Sequence, residues 1–155
     1  MASSAKRSSK QAEMGSAEAT ASATRRSTSS PSQRSDLSRR GESLVAALLI
    51  ERGFEILGRN VRVGRLELDV IARQRSLIVV CEVRSRRSAH PVFPAETIVG
   101  KKLNRVRRAT ALWLRRERLG KVRVRIDAAA VVFDGPNGEP RVEYYENVSF
   151  PLRSG

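Results

Sequence analysis

Apolar residues recur along this chain in two rhythms, one helical and one extended. Leu44, Val45, Leu48 and Leu49 fall on one stripe, which predicts an amphipathic helix. Small polar residues from Asp36 to Ser38 can cap its start, and Gly53 supplies a stop just past Arg52. Three extended segments follow, roughly Phe54 to Val63, Leu66 to Ala72 and Leu77 to Val83, with turns at Gly64-Arg65 and from Arg73 to Ser76. From Glu96 to Leu119 the positions Val99, Leu103, Val106, Thr110 and Trp113 return to helical spacing, and Gly120 ends the run. Val122 to Phe133 reads as a strand, Asp134 to Pro140 as a turn, and Arg141 to Val148 as a last strand. The order α-β-β-β-α-β-β predicts an α/β fold, a mixed central sheet flanked by two helices.

The 155 residues suffice for one domain with a core and are too few for two ordinary ones. Residues 1–36 are mostly Ser, Ala, Thr, Arg and Lys, with Met1 and Met14 the only large apolar side chains, too few to offset the entropy of ordering. A disordered basic tail is therefore expected over 1–36, a folded domain over 37–150 and a short tail over 151–155. Such a composition also fits an arm that skims phosphates or an organellar leader, although Glu13 and Glu18 interrupt the leader pattern.

Charge narrows the partners. Lys and Arg number 30 against 16 Asp and Glu, a net +14, which favours a polyanion such as nucleic acid or an anionic membrane. No apolar run approaches the roughly 20 residues of a membrane span. Neither helix pairs its basic face with the exposed bulky apolar side that surface attachment needs, so no membrane partner is expected. One cysteine, Cys81, and one histidine, His90, exclude an internal disulfide framework, a thiolate zinc site and a His-rich metal site. The thiol count fits the reducing cytoplasm, and Cys81 belongs to the apolar face of its strand.

The candidate chemistry is acidic. Successive strand side chains point to opposite faces, so Glu67 and Asp69 share a face, as do Glu82 and Arg84. One face of the Leu77–Val83 segment is apolar throughout, while the other carries Ile78 and Val80 and turns polar at Glu82 and Arg84. With Glu42 near the start of the first helix, these acids stand where a metal-dependent nuclease would hold its ligands. Hard divalent cations take oxygen donors, and a nuclease metal must face phosphate across an open site. Blander readings stand beside this one. An acid in a first helical turn complements the macrodipole with no catalytic role, and strand-end charges commonly pair with their neighbours.

Lys101, Lys102, Arg105 and Arg108 recur three and four residues apart beside the apolar stripe of the second helix, which predicts a shared solvent-facing side. Glu96 and Glu117 are the only acids over that helical run, so intrahelical pairing cannot neutralise it. Phosphate binding is favoured over an ordinary charged face.

Six blocks occur in a telling order: Gly41-Glu42, Arg59-Asn60, LELDVIA from Leu66, LIVVCEVRSR from Leu77, Lys102, and RIDAAAV from Arg125. Together they resemble the YraN family of bacterial proteins over about Arg40 to Phe133. That family is similar to Holliday-junction resolvases of the restriction-endonuclease-like PD-(D/E)xK superfamily. The resemblance implies a restriction-endonuclease-like sheet, Mg2+ or Mn2+ held by Asp69, Glu82 and the Val83 carbonyl, and Glu42 as a helix carboxylate. It implies DNA, branched DNA in particular, as the substrate of a metal-dependent endonuclease. It also leaves room for a homodimer, since cutting a junction takes two subunits. Two positions depart from the pattern. Arg84 stands where the superfamily has Lys; arginine stabilises charge but cannot act as a base, and some relatives carry it as well. Leu66 replaces a usual Gly and would narrow the approach to its strand. The alternative that Arg84 favours is a non-catalytic nucleic-acid-binding protein retaining the nuclease fold.

Overall fold

The computed structural model describes residues 30–87, 101–134 and 139–148, with Lys101 described by its backbone alone. The element order is α1 (Pro31–Glu51), β1 (Glu55–Val63), β2 (Leu66–Gln74), β3 (Leu77–Arg87), α2 (Lys101–Arg116), β4 (Arg123–Phe133) and β5 (Pro140–Tyr145). The five strands form one sheet in the order β1-β2-β3-β4-β5. β1, β2 and β3 pair antiparallel, β3 and β4 parallel, and β4 and β5 antiparallel. This is the mixed sheet flanked by two helices that the pattern predicts. A parallel pair cannot be closed by a tight turn, and the chain between β3 and β4 carries α2.

The helices lie on opposite faces. Val45 and Leu49 of α1 pack on Val70, Ala72, Cys81 and Val131. Val106, Ala109 and Trp113 of α2 pack on Leu68, Ile71, Ile78 and Val80. β3 shows the expected alternation, with Cys81 and Val83 under α1 and Ile78 and Val80 under α2. Trp113 and Cys81 are core, as anticipated. Burial also pushes the Cys81 thiol well above its ordinary pKa, which keeps it protonated and unreactive.

Several boundaries differ from the sequence reading. α1 begins at Pro31 and not near Asp36, because Ser30 caps it in a reciprocal box: its Oγ accepts from the Gln33 N–H at 3.4 Å and its own N–H donates to Gln33 Oε1 at 3.3 Å. Pro31 at the first helical position reinforces that start. Residues 30–36, assigned to the tail, therefore include a cap and helix; residues 1–29 lie outside the described residues. β3 runs on to Arg87 because its parallel ladder with β4 continues to the Arg87–Phe133 pair. The start of the second helix expected from Glu96, and Val99 with it, falls outside the described residues.

One contact fixes how closely α1 approaches the sheet. A Cβ on Gly41 would sit 1.8 Å from Ser85 Oγ and 3.1 Å from Ser85 Cβ. A side chain at position 41 would make Ser85 or the helix shift, so glycine lets α1 sit this close, and the neighbouring Glu42 is carried to the sheet and buried.

Candidate functional site

The site forms where β2 and β3 part. Their ladder extends only as far as the Val70–Cys81 pair. Leu68 joins the α2 core while Val70 joins the α1 core, so the strict alternation of β2 slips by one at Asp69. In place of a ladder partner, Val83 donates its backbone N–H to Asp69 Oδ2 at 2.8 Å. Since the N–H and C=O of a strand residue point to the same edge, the Val83 carbonyl is directed that way too. A cleft of about 1120 Å³ opens there, bringing together Glu42, Asp69, Glu82 and Arg84 from three elements. Glu67 lines it as well, so both β2 acids reach the cleft despite the slip.

Each acid has its own surroundings. Glu42 is buried, accepting from Ser38 Oγ at 3.1 Å and from Asn60 Nδ2 at 2.6 Å. Asn60 sits in β1 with φ of 49°, a left-handed conformation that Asn tolerates better than most residues; the turned backbone aims its amide at Glu42. Glu82 is buried at 7% exposure and meets two cations, Lys102 Nζ in direct contact and Arg84 Nη2 at 3.4 Å. Among the described residues, Asp69 forms no ion pair. Burial, then the Glu82 charge, lift its pKa from 3.8 to about 7, against the Val83 N–H and Arg84, which favour the carboxylate. Burial raises Glu82 as well, while Arg84 opposes the rise and the Lys102 ammonium must do the same.

These properties decide what the site can hold. Asp69 and Glu82 are hard oxygen donors in an open cleft, each destabilised as an anion by burial, and a divalent cation would relieve both. Among the described residues, no three His, Cys, Asp or Glu side chains cluster as a ready cation site. Glu42 is held by Ser38 and Asn60 and Glu82 by Lys102 and Arg84, so a metal on Asp69, Glu82 and the Val83 carbonyl would have to share Glu82 with those cations.

The basic helix is arranged otherwise than expected. Lys102 does not share the solvent face with Arg108; it turns into the cleft toward Glu82 because that buried carboxylate outcompetes water for the ammonium. Arg105 is exposed and lines the cleft, whereas Arg108 is exposed away from it. The Lys101 side chain is outside the described residues. Leu66, in place of a smaller residue, both lines the cleft and packs on the α2 core.

Two participants had no role in the sequence reading. Asn60 carried a signal only as one member of a motif block. Asp127 is fully buried and accepts from Arg125 Nη2 at 2.9 Å, Tyr144 Oη at 2.7 Å and the Asn147 N–H at 2.8 Å. It ties β4 to β5 and to the chain beyond it, which is a structural task. Its visible signs were its place in the RIDAAAV block and a lone Asp within an apolar strand.

The cleft residues fall largely within the stretch that matches known sequences. The model of the uncharacterised protein family UPF0102 matches residues 41–131. A UPF0102 protein of Anaeromyxobacter dehalogenans is 43% identical over 112 residues, 72% of this chain and 82% of the relative. One from Sorangium cellulosum is 46% identical over 111 residues, 69% of this chain and 76% of the relative. A third, from an Arthrobacter species, is 38% identical over 112 residues, 72% of this chain and 94% of the relative. The family model covers more than half of the sequence, from the glycine that seats α1 to Val131 within β4, and the chain belongs to family UPF0102, the YraN family of the motif comparison.

Proposed function

We propose that this protein is a divalent-metal-dependent DNA endonuclease acting on branched DNA in the cytoplasm, with a homodimer as the form that would cut two strands. The observation that carries the reading is the pairing of Asp69 with Glu82 on the floor of a cleft rimmed by arginine. Burial and the Glu82 charge raise the pKa of the half-buried Asp69, and burial raises that of Glu82, a cost to the fold unless the two acids serve a cation.

Asp69, Glu82 and the Val83 carbonyl would hold Mg2+ or Mn2+. A bound ion of this kind polarises a phosphoryl oxygen and acidifies water. The Val83 N–H fixes one oxygen of Asp69, so that carboxylate enters the site already oriented. Lys102 does the same for Glu82 and stands, with Arg84, ready to stabilise charge developing on phosphate. The cation that the superfamily motif places at position 84 is thus supplied here from two elements.

A second reading has its own support. Lys102 and Arg84 already compensate Glu82, so the cleft could bind nucleic acid without turnover. Incubating the purified protein with linear, flapped and four-way DNA, in magnesium, manganese or chelator, separates the two. Cleavage that requires metal and is abolished by Asp69→Asn and Glu82→Gln, with folding and DNA binding retained, supports the nuclease. DNA binding without cleavage on every substrate, and calorimetry showing no metal uptake that those substitutions remove, would leave the binding protein.

A further inference from the structure

The guanidinium groups of this protein divide into those with a carboxylate partner and those without. Arg125 pairs with Asp127 and Glu146, Arg52 with Glu146, Arg116 with Glu117 and Arg141 with Glu143. Arg84 and Lys102 are turned onto Glu82. Among the described residues, the side chains of Arg62, Arg65 and Arg105 have no such partner, although all three line the cleft. Arg62 stands opposite Glu67 in the β1–β2 ladder, yet the two form no ion pair.

Their positions are fixed by the backbone. Arg62 is the penultimate residue of β1, and its carbonyl accepts from Arg116 Nη1 of α2 at 3.0 Å, so the hairpin is tied to the helix beneath it. Arg65 follows Gly64, whose φ of 62° makes the turn. Arg105 lies in α2 one turn beyond Lys102, the residue on Glu82. Arg62, Arg65 and Arg105, from a strand, a turn and a helix, thus border a floor of carboxylates, with Arg39 of α1, whose Nη2 donates to Ser35 Oγ, also in the lining. Cations without a carboxylate partner on the rim of such a cleft suit an anionic ligand that is long enough to span the rim. Arginine also matches phosphate oxygens in pairs, where lysine offers a point charge.

We infer that Arg62, Arg65 and Arg105 grip the sugar-phosphate backbone of the DNA strand laid across the cleft, in place of the outer face of α2. This rests on the nucleic-acid reading above but not on catalysis. Phosphate contacts of this kind position a strand without reading its sequence. Glu67, on the same wall, opposes the phosphates and weakens binding.

The test is fluorescence anisotropy with a labelled duplex oligodeoxynucleotide, in chelator so that nothing is cut, across a range of salt. Each lost phosphate contact should reduce the log–log salt slope by about 0.9. Arg62→Ala/Arg65→Ala/Arg105→Ala should therefore flatten the slope by about 2 to 3, while Arg108→Ala/Arg115→Ala on the outer face leaves it unchanged. The corresponding triple lysine variant should keep most of the slope, which separates lost charge from lost fold, and circular dichroism monitors each variant's folding. Glu67→Gln should tighten binding. If the wild type binds and the triple alanine variant keeps its slope while the outer-face pair loses it, the inference is overturned and the nucleic-acid reading stands. If the wild type binds no DNA at low salt, both fall together.

Discussion

Asp69 shows how a single side chain can carry a cost that only a ligand would remove. Its pKa in the folded protein is about 7, against 3.8 ordinarily, chiefly because of burial and then the Glu82 charge. An acid whose folded-state pKa lies above its unfolded value holds its proton more tightly in the native state. Stability then falls as pH rises between the two values, and above the higher one the penalty is complete. Asp69→Asn has nothing to ionise, so in chelator it should gain stability relative to wild type between about pH 4 and about pH 7. The gain should be on the order of 2 kcal/mol once exposure to the cleft is allowed for. Urea unfolding at several pH values measures it; a difference between the two proteins that does not change with pH would mean that Asp69 is not destabilised as an anion.

At the level of elements, the site depends on how α1 meets β3. Gly41 lies against Ser85, whose Oγ is buried with no hydrogen-bond partner among the described residues. Gly41→Ala forces either the serine or the helix to move, and overpacking of this kind costs about 1–3 kcal/mol. Ser85→Ala removes the closest atom and loses no hydrogen bond, so by itself it should be near neutral. In the double variant it should return part of the loss, with the remainder set by the 3.1 Å contact to Ser85 Cβ. Chemical denaturation of the four proteins of this cycle checks the coupling. Additive effects would show that the helix does not rest on this contact. The displaced helix would also draw Glu42 from Asn60, linking a backbone fit to the geometry of the cleft.

For the whole molecule, the first question is where the folded unit begins. Asp36 to Ser38 look like a cap, and on that reading deletion of residues 1–35 should cost little. The structure puts the cap at Ser30, so a chain beginning at residue 28 should be more stable than one beginning at residue 36. The difference should be about 1 kcal/mol, the usual worth of a helix N-cap, and thermal unfolding of both chains measures it. Equal midpoints would show that the first turn contributes nothing. The cap was missed because Ser30 is followed by no apolar stripe for two turns, and residues 31–34 stay exposed; hydrophobic periodicity is silent where a helix projects into water.

Periodicity by itself determined the element order, the mixed sheet, the two-sided core and the burial of Trp113 and Cys81, because those follow from which faces must leave water. The motif order also determined family membership, and it singled out Glu42, Asp69, Glu82 and Arg84, which the fold gathers in one cleft. What only the tertiary structure decided is whom each charge meets. A helical wheel gives Lys102 and Arg108 equal claim to solvent, yet a buried carboxylate on another element draws the first inward. The slip at Asp69, the amide of Asn60 on Glu42 and the arginines left without partners along the cleft are likewise contacts between distant segments. Local patterns encode hydrophobicity and backbone preference, whereas electrostatic partnership depends on distance in space, and the chain acquires those distances only when it folds.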